Sequence, residues 1–359
     1  MINLKLKNII ISGKKIGYNK PVFIIAEAGV NHNGHFKTAL KLVDAAAAAG
    51  ADAVKFQTFK AGQVVTTTGK MAKYQKKNIG KTESQLDMLK KLELPENFYK
   101  PLITHCRKKK IIFLSTPHGG FDSVDFLERL NIAAFKIGSG DLNNLPLLQY
   151  AARLGKPMIL GTGMSTLGEV QAAISIIKKA GNNKIIVLHC TTNYPCPARE
   201  VNLEAMRTMA AKSGVLVGYS DHTKGIQVPI MAVALGACLI EKHFTLNRNM
   251  TGPDHKASLE PRELKEMVKA IRQVSIILGS KIKSPNASER PLIKVARKSI
   301  VSLCKIKKGE KFTKNNTGIK RPGTGLAPRY YFSILGKKAK VDIPADTFIM
   351  NNHYRPLAK

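Results

Sequence analysis

Short apolar runs recur along the chain, separated by stretches with helical periodicity. Eight runs predict strands: Val22–Ala26, Ala53–Phe56, Ile111–Leu114, Ala134–Ile137, Met158–Leu160, Ile185–Leu188, Val215–Gly218 and Cys238–Ile240. Most start roughly 23 to 31 residues apart, enough for one helix each. Phe36–Gly50 illustrates the intervening pattern, with apolar Leu40, Val43 and Ala47 and a closing glycine. Eight strand–helix repeats over about 250 residues predict a parallel (β/α)8 TIM barrel. A doubly wound sheet has fewer strands, and no GxGxxG follows the first one. One interval is too long. Nearly 60 residues part the second and third runs, and Gln63–Thr82 within them is polar and basic, with Lys70, Lys73, Lys76 and Lys77. This reads as an insertion on the face where barrel sites lie, either a mobile lid or a disordered spacer.

The flanks have other patterns. Residues 1–20 predict a hairpin with its turn at Ser12-Gly13, placed to plug the bottom of a barrel spanning 21–280. Residues 281–296 read as a linker. From 297 to 359, short apolar runs alternate with turn clusters such as Arg321-Pro322-Gly323-Thr324-Gly325, which predicts a small, mostly β domain. Such a domain is marginal alone and calls for docking on something larger.

Composition changes the picture little. Of 359 residues 44% are hydrophobic and 23% charged, as expected for a folded chain. No apolar run approaches a membrane span, and the N-terminal one is too short for a signal-peptide core. A cytoplasmic protein with no membrane partner is expected. The net charge of +34 invites a nucleic-acid reading, but only 13 of 58 basic residues are Arg and the Lys are scattered. A solvated basic surface that attracts anionic small molecules is expected instead, with no nucleic-acid partner. Five Cys without a CxxC pair argue against a disulfide framework or a structural zinc site.

Residues at the C-terminal ends of barrel strands line the site. Here they are Glu27, Lys55 with Gln57, Thr116, Lys136 with Ser139 and Asp141, Thr162, His189, Ser220 with Asp221 and His222, and Glu241-Lys242-His243. Polar groups at buried strand ends need partners or a ligand. Lys55 and Lys136, with hydroxyls from Thr116, Ser139 and Ser220, suit a phosphate or a phosphorylated carboxylate. His222 and His243 end adjacent strands and can share a metal with open positions, the arrangement of a Lewis acid and not of a structural site. Asp141 and Glu27 are acid–base or hydroxyl-binding candidates. Asp254, just beyond strand eight, either reaches a sugar hydroxyl or caps a turn. These positions support a metal-assisted enzyme acting on an anionic, phosphorylated substrate. A Schiff-base aldolase using Lys136 or Lys55 fits the same residues. A non-catalytic binder of nucleic acid or glycan leaves the histidine pair without a role.

The same strand ends carry a longer signature. Ala26-Glu27-Ala28-Gly29-Val30-Asn31-His32-Asn33-Gly34, Lys55-Phe56-Gln57-Thr58-Phe59, Lys136-Ile137-Gly138-Ser139-Gly140, Gly218-Tyr219-Ser220-Asp221-His222-Thr223, Glu241-Lys242-His243-Phe244-Thr245 and Gly252 to Pro261 resemble the sialic acid synthases. Lys320-Arg321-Pro322-Gly323 resembles their antifreeze-protein-like (SAF) domain, and the likeness runs from about residue 20 to the end. The resemblance implies condensation of phosphoenolpyruvate with N-acetylmannosamine and water, giving N-acetylneuraminate and phosphate. Legionaminic acid synthases, which take 2,4-diacetamido-2,4,6-trideoxymannose, share much of the signature and are the alternative.

The resemblance further implies manganese or magnesium on His222 and His243. Lys55, Thr116, Lys136, Ser139 and Ser220 would hold phosphoenolpyruvate, and Glu27, Gln57, Tyr194 and Asp254 the amino-sugar. It also implies a homodimer in which the C-terminal domain covers the partner's barrel mouth and Arg321 reaches the N-acetyl group. Three departures stand out. Asp141 replaces the Glu of many relatives, with proton transfer as its implied role. Gly161 replaces a Ser, and His118 replaces the usual Phe after Ser115-Thr116-Pro117.

Overall fold

The computed structural model describes residues 6–80 and 83–354. The chain forms two compact units that divide between Gly279 and Ser280. The first opens with a hairpin of β1 (Ile9–Ile11) and β2 (Lys14–Ile16). Both turn residues, Ser12 and Gly13, have positive φ (46° and 81°), the handedness that matches strand twist in a two-residue loop. Then come β3 (Phe23–Gly29), β4 (Ala53–Thr58), β5 (Ile112–Pro117), β6 (Phe135–Ile137), β7 (Met158–Gly161), β8 (Ile185–His189), β9 (Leu216–Asp221) and β10 (Leu239–His243). They close a parallel barrel in the order β10-β3-β4-β5-β6-β7-β8-β9.

Every predicted strand exists, but seven end one to three residues later than the apolar runs do. The ladder continues through polar residues because successive side chains alternate between the barrel interior and the helix layer. Glu27 thus pairs with Lys55 and with His243, Ser220 with Glu241, and Gln57 with Thr116. Chemistry expected just past the strands sits on them, held in register.

Helices cover the barrel. The helix Phe36–Ala49 buries Ala39, Leu42, Val43, Ala46 and Ala49, a stripe turned away from the predicted Leu40 and Ala47, which lie on its flank. An alanine-rich helix offers little contrast to fix the phase of its buried face. The last barrel helix, Pro261–Leu278, buries Leu264, Met267, Val268, Ile271 and Val274. Inside the barrel, Ile25, Leu114, Ile159, Ile186 and Leu216 pack into one cluster with Ile9, Ile11 and Ile16 of the hairpin, which plugs the N-terminal end. Asp52 fastens that end, accepting from Ile24 N (2.8 Å) and Arg272 (2.7 Å) and pairing with Lys14.

The long interval after β4 is folded. It holds short helices at Ala61–Val64, Lys73–Ile79 and Gln85–Lys90, and the last two pack Ile79, Met88 and Leu89 into a small core with Val30, Phe59, Met71 and Leu92. Asn78 ties this insertion to the loop after β10 through the Pro253 carbonyl (2.6 Å). The disordered-spacer reading therefore fails for the described residues. In the second unit the predicted linker includes a helix, Arg290–Ala296, with Pro291 in its first turn. Beyond it, β11 (Ser299–Ser302) and β12 (Thr317–Lys320) pair antiparallel over a core of Ile300, Ile306, Phe312, Ile334, Ile343 and Ile349.

Candidate active site

The C-terminal end of the barrel opens into a cavity of about 270 Å³. Of thirteen predicted site residues, eleven line it: Glu27, Lys55, Gln57, Thr116, Lys136, Ser139, Tyr194, Ser220, His222, His243 and Asp254. Asp141 stands behind the wall, and Arg321 belongs to the second unit, exposed directly after β12. The insertion contributes Val64, Tyr74, Gln85, Met88 and Leu92 to the wall.

Four buried charges from three strands and β6 form the floor. Lys55 Nζ stands 2.7 Å from Glu27 Oε2 and 3.8 Å from Glu241 Oε1, and donates to Thr116 Oγ1 at 3.0 Å. Lys136 Nζ lies 3.2 Å from the same Glu241 oxygen, which also accepts from Ser220 Oγ. Two carboxylates crowd two ammoniums, so their proton affinities separate. Burial, aided by repulsion from Glu241, pushes the Glu27 carboxyl up to about 7 against the pull of Lys55. Burial also opposes charge on Glu241, but Lys136 and Lys55 outweigh it and hold that carboxyl below its ordinary value. Desolvation likewise works against the Lys136 ammonium, yet Glu241 and Glu27 raise it above a free lysine. A Schiff-base lysine needs the reverse, an amine that loses its proton easily. Lys136 is therefore built as a cation.

The histidine pair is arranged as ligands. His222 Nδ1–H donates to the Thr191 carbonyl (2.6 Å), which leaves the Nε2 lone pair facing the cavity, where the Tyr194 hydroxyl donates to it at 3.0 Å. His243 Nδ1 is buried with no hydrogen-bond partner among the described residues. The rings lie 5.5 Å apart, with the Tyr194 ring against both. Burial lowers His222 to about 4 and His243 well below an ordinary imidazole, so both are neutral, the form that binds a metal. Among the described residues no three or more His, Cys, Asp or Glu side chains gather as a metal cluster. The residues present fit an ion held by two imidazoles with positions left open. Behind them, Lys242 pairs with Asp221 across the β9–β10 register, bracing the neighbours of both histidines.

The remaining predicted residues have definite settings. Asp254 opens the short turn His255–Ala257 but makes no capping bond. Its carboxyl is buried on the cavity wall, and burial alone raises it to about 6. Ser139 Oγ accepts from Gly163 N (3.0 Å) and touches Cys190 Sγ (3.3 Å). A Cβ on Gly161 would stand 2.9 Å from Ser139 Oγ, so the glycine there leaves room for that hydroxyl. Sequence reasoning gave no role to Glu241, Tyr74 or His118. The signal for Glu241 was available, since two buried lysines require more than one carboxylate. Tyr74 stacks on Tyr194 at 5.3 Å from an insertion whose polar composition has no readable register.

Fold and site together define the class: a (β/α)8 barrel of the sialic acid synthase type. The chain belongs to the NeuB family, which matches residues 42–283, and residues 297–355 match the SAF domain. It is 50% identical over 332 residues to the N,N'-diacetyllegionaminic acid synthase of Campylobacter jejuni, covering 92% of this chain and 99% of that one. The Legionella pneumophila protein of the same name is 44% identical over 354 residues, covering 95% and 99%. The crystal structure of N-acetylneuraminic acid synthetase from Leptospira borgpetersenii superposes with a TM-score of 0.71 at 36% identity, over 80% of this chain and 95% of that one. No helix among the described residues is long and apolar enough to cross a membrane.

Proposed function

We propose that this chain makes N,N'-diacetyllegionaminic acid from phosphoenolpyruvate, 2,4-diacetamido-2,4,6-trideoxymannose and water, releasing phosphate. The 50% identity to a synthase of that product, kept across nearly the whole of both chains, carries the reading. The N-acetylneuraminate reading stands behind it, supported by the 36% identity to the Leptospira synthetase. The cavity chemistry supports a shared mechanism. Lys55 and Lys136, with Thr116, Ser139 and Ser220, offer two buried ammoniums and three hydroxyls to the phosphate and carboxylate of phosphoenolpyruvate. Glu241 is a counter-charge to both ammoniums, 3.2 Å from Lys136 and 3.8 Å from Lys55.

Glu27, Gln57, Tyr194 and Asp254 hold the amino-sugar beside phosphoenolpyruvate. Glu27, near neutrality in its proton affinity, can keep or accept a proton beside it. His222 and His243 would hold manganese or magnesium, which supplies polarisation of the sugar's open-chain aldehyde. In this reading the protein is a homodimer, and Arg321 of the partner subunit reaches the N-acetyl group from the small domain.

Product identity tests the substrate. Incubated with phosphoenolpyruvate and an equal mixture of both sugars, the protein should give the mass of N,N'-diacetyllegionaminic acid as the main product. A mixture converted chiefly to N-acetylneuraminate would reverse the assignment.

A further inference from the structure

Two of the three departures from the family pattern meet in space. His118 Nδ1 lies 3.5 Å from Asp141 Oδ2, each side chain about a quarter exposed. His118 lines the cavity and Asp141 does not. The backbone of His118 is pinned at the end of β5, its N–H shared between the Thr58 (2.9 Å) and Thr116 (3.0 Å) carbonyls. The Cε1 edge of its imidazole approaches Gly138, where a Cβ would come within 2.7 Å of Cε1. Gly138 has φ −68°, a conformation open to any residue, so the close approach of this ring is what calls for glycine there. Asp141 sits on the turn that follows, its other oxygen facing Asn144 Nδ2 at 3.5 Å. A carboxylate one methylene short of Glu is thus set back from the cavity, with an imidazole in front of it. At 3.5 Å the two groups are within ion-pair reach but not hydrogen-bonded; closed by a rotation of either side chain, the pair is a His–Asp couple, in which the carboxylate orients the imidazole and frees Nε2 for chemistry.

We propose that His118 carries proton transfer at the phosphate end of the site, and that Asp141 is a positioning residue acting through it. The assignment rests on the synthase reading above, because Thr116, Lys136 and Ser139, which line the same cavity as His118, are the groups that reading gives to phosphoenolpyruvate. The step balances as follows. The water oxygen bonds to C2 while the C2=C3 π pair bonds C3 to the aldehyde carbon, whose C=O π pair moves onto oxygen as an alkoxide, and one water proton passes to His118 Nε2. The C2–O bond to phosphate then breaks with its electron pair going to oxygen, and Nε2 returns its proton to that oxygen. The second water proton leaves the C2 hydroxyl as the ketone forms and goes to the new alkoxide.

The test is phosphate release by His118→Ala, with and without free imidazole, beside His118→Phe and Asp141→Asn. His118→Ala should lose about a hundredfold in kcat or more, with both KM values within about threefold of wild type. Imidazole should restore at least about tenfold of that loss in His118→Ala and nothing in His118→Phe, whose ring fills the space. Asp141→Asn should lose less than His118→Ala and gain nothing from imidazole. A His118→Ala protein that keeps its kcat, loses only in KM, or ignores imidazole while melting like wild type would overturn the proposal. If His118→Ala melts early, His118→Gln decides, a retained kcat counting against the proposal and a lost one for it. A wild-type protein that releases no phosphate would instead overturn the synthase reading, and the proposal with it.

Discussion

The Glu241 carboxylate faces two ammoniums, Lys136 at 3.2 Å and Lys55 at 3.8 Å, while Glu27 faces Lys55 alone at 2.7 Å. All four side chains are buried. Removing one partner of a buried pair leaves the other charge uncompensated and costs about 3–5 kcal/mol. Glu241→Gln strips Lys136 of its carboxylate, whereas Glu27→Gln leaves Lys55 a second one. Glu241→Gln should therefore lower unfolding free energy by about 3–5 kcal/mol, and Glu27→Gln by less than half of that. Urea titration of both variants measures the difference, and equal losses would contradict this division of roles. Two more buried groups set a pH response. Burial lowers His32 and His255 to about 4, helped at His32 by repulsion from His35 and His255. In the unfolded chain a histidine titrates near 6.5. Between those values the folded state binds fewer protons than the unfolded state, so stability is complete above about pH 6.5 and falls as the pH drops toward 4. The thermal midpoint should decline across that window, and His32→Gln should flatten the decline. An unchanged slope in the variant would show that His32 is not among the groups responsible.

At the scale of elements, the eight strands were legible because each is a short β-rich run between helical stretches, as in Ile185–Leu188. Their ends were not. A search for apolar runs stops at Ala26 or Gly218, while the ladder goes on through Glu27 and Asp221 on geometry alone. The placement of the site at the C-terminal mouth followed from the fold, and nine of its residues from the strand ends; Asp254 was legible just beyond the eighth, and Tyr194 only through the family resemblance. What sequence could not supply was contact between distant segments. Nothing in the order of residues brings Tyr74 onto Tyr194, or His118 onto Asp141. The helix Arg290–Ala296 was hidden in polar surroundings, since none of its residues is buried to give it an apolar stripe.

For the whole molecule, +34 of net charge favours the approach of an anionic substrate, and the buried lysines give it a destination. The small unit has a core of its own around Ile300, Phe312 and Ile343 and carries Arg321 exposed after β12. In the proposed dimer that arginine serves the partner's sugar site. Arg321→Ala should then raise the KM for the amino-sugar by about tenfold or more while leaving that for phosphoenolpyruvate nearly unchanged. Equal increases in both would remove the domain from sugar recognition.

The central claim is a condensation that needs a metal at His222 and His243 and a diacetamido sugar. Its most direct test is the initial rate of phosphate release from phosphoenolpyruvate with 2,4-diacetamido-2,4,6-trideoxymannose, in manganese and in EDTA. Release should be rapid with both sugar and manganese, negligible without either, and lost in His222→Ala together with measurable metal binding. Release that persists in EDTA, or in His222→Ala, would contradict the account.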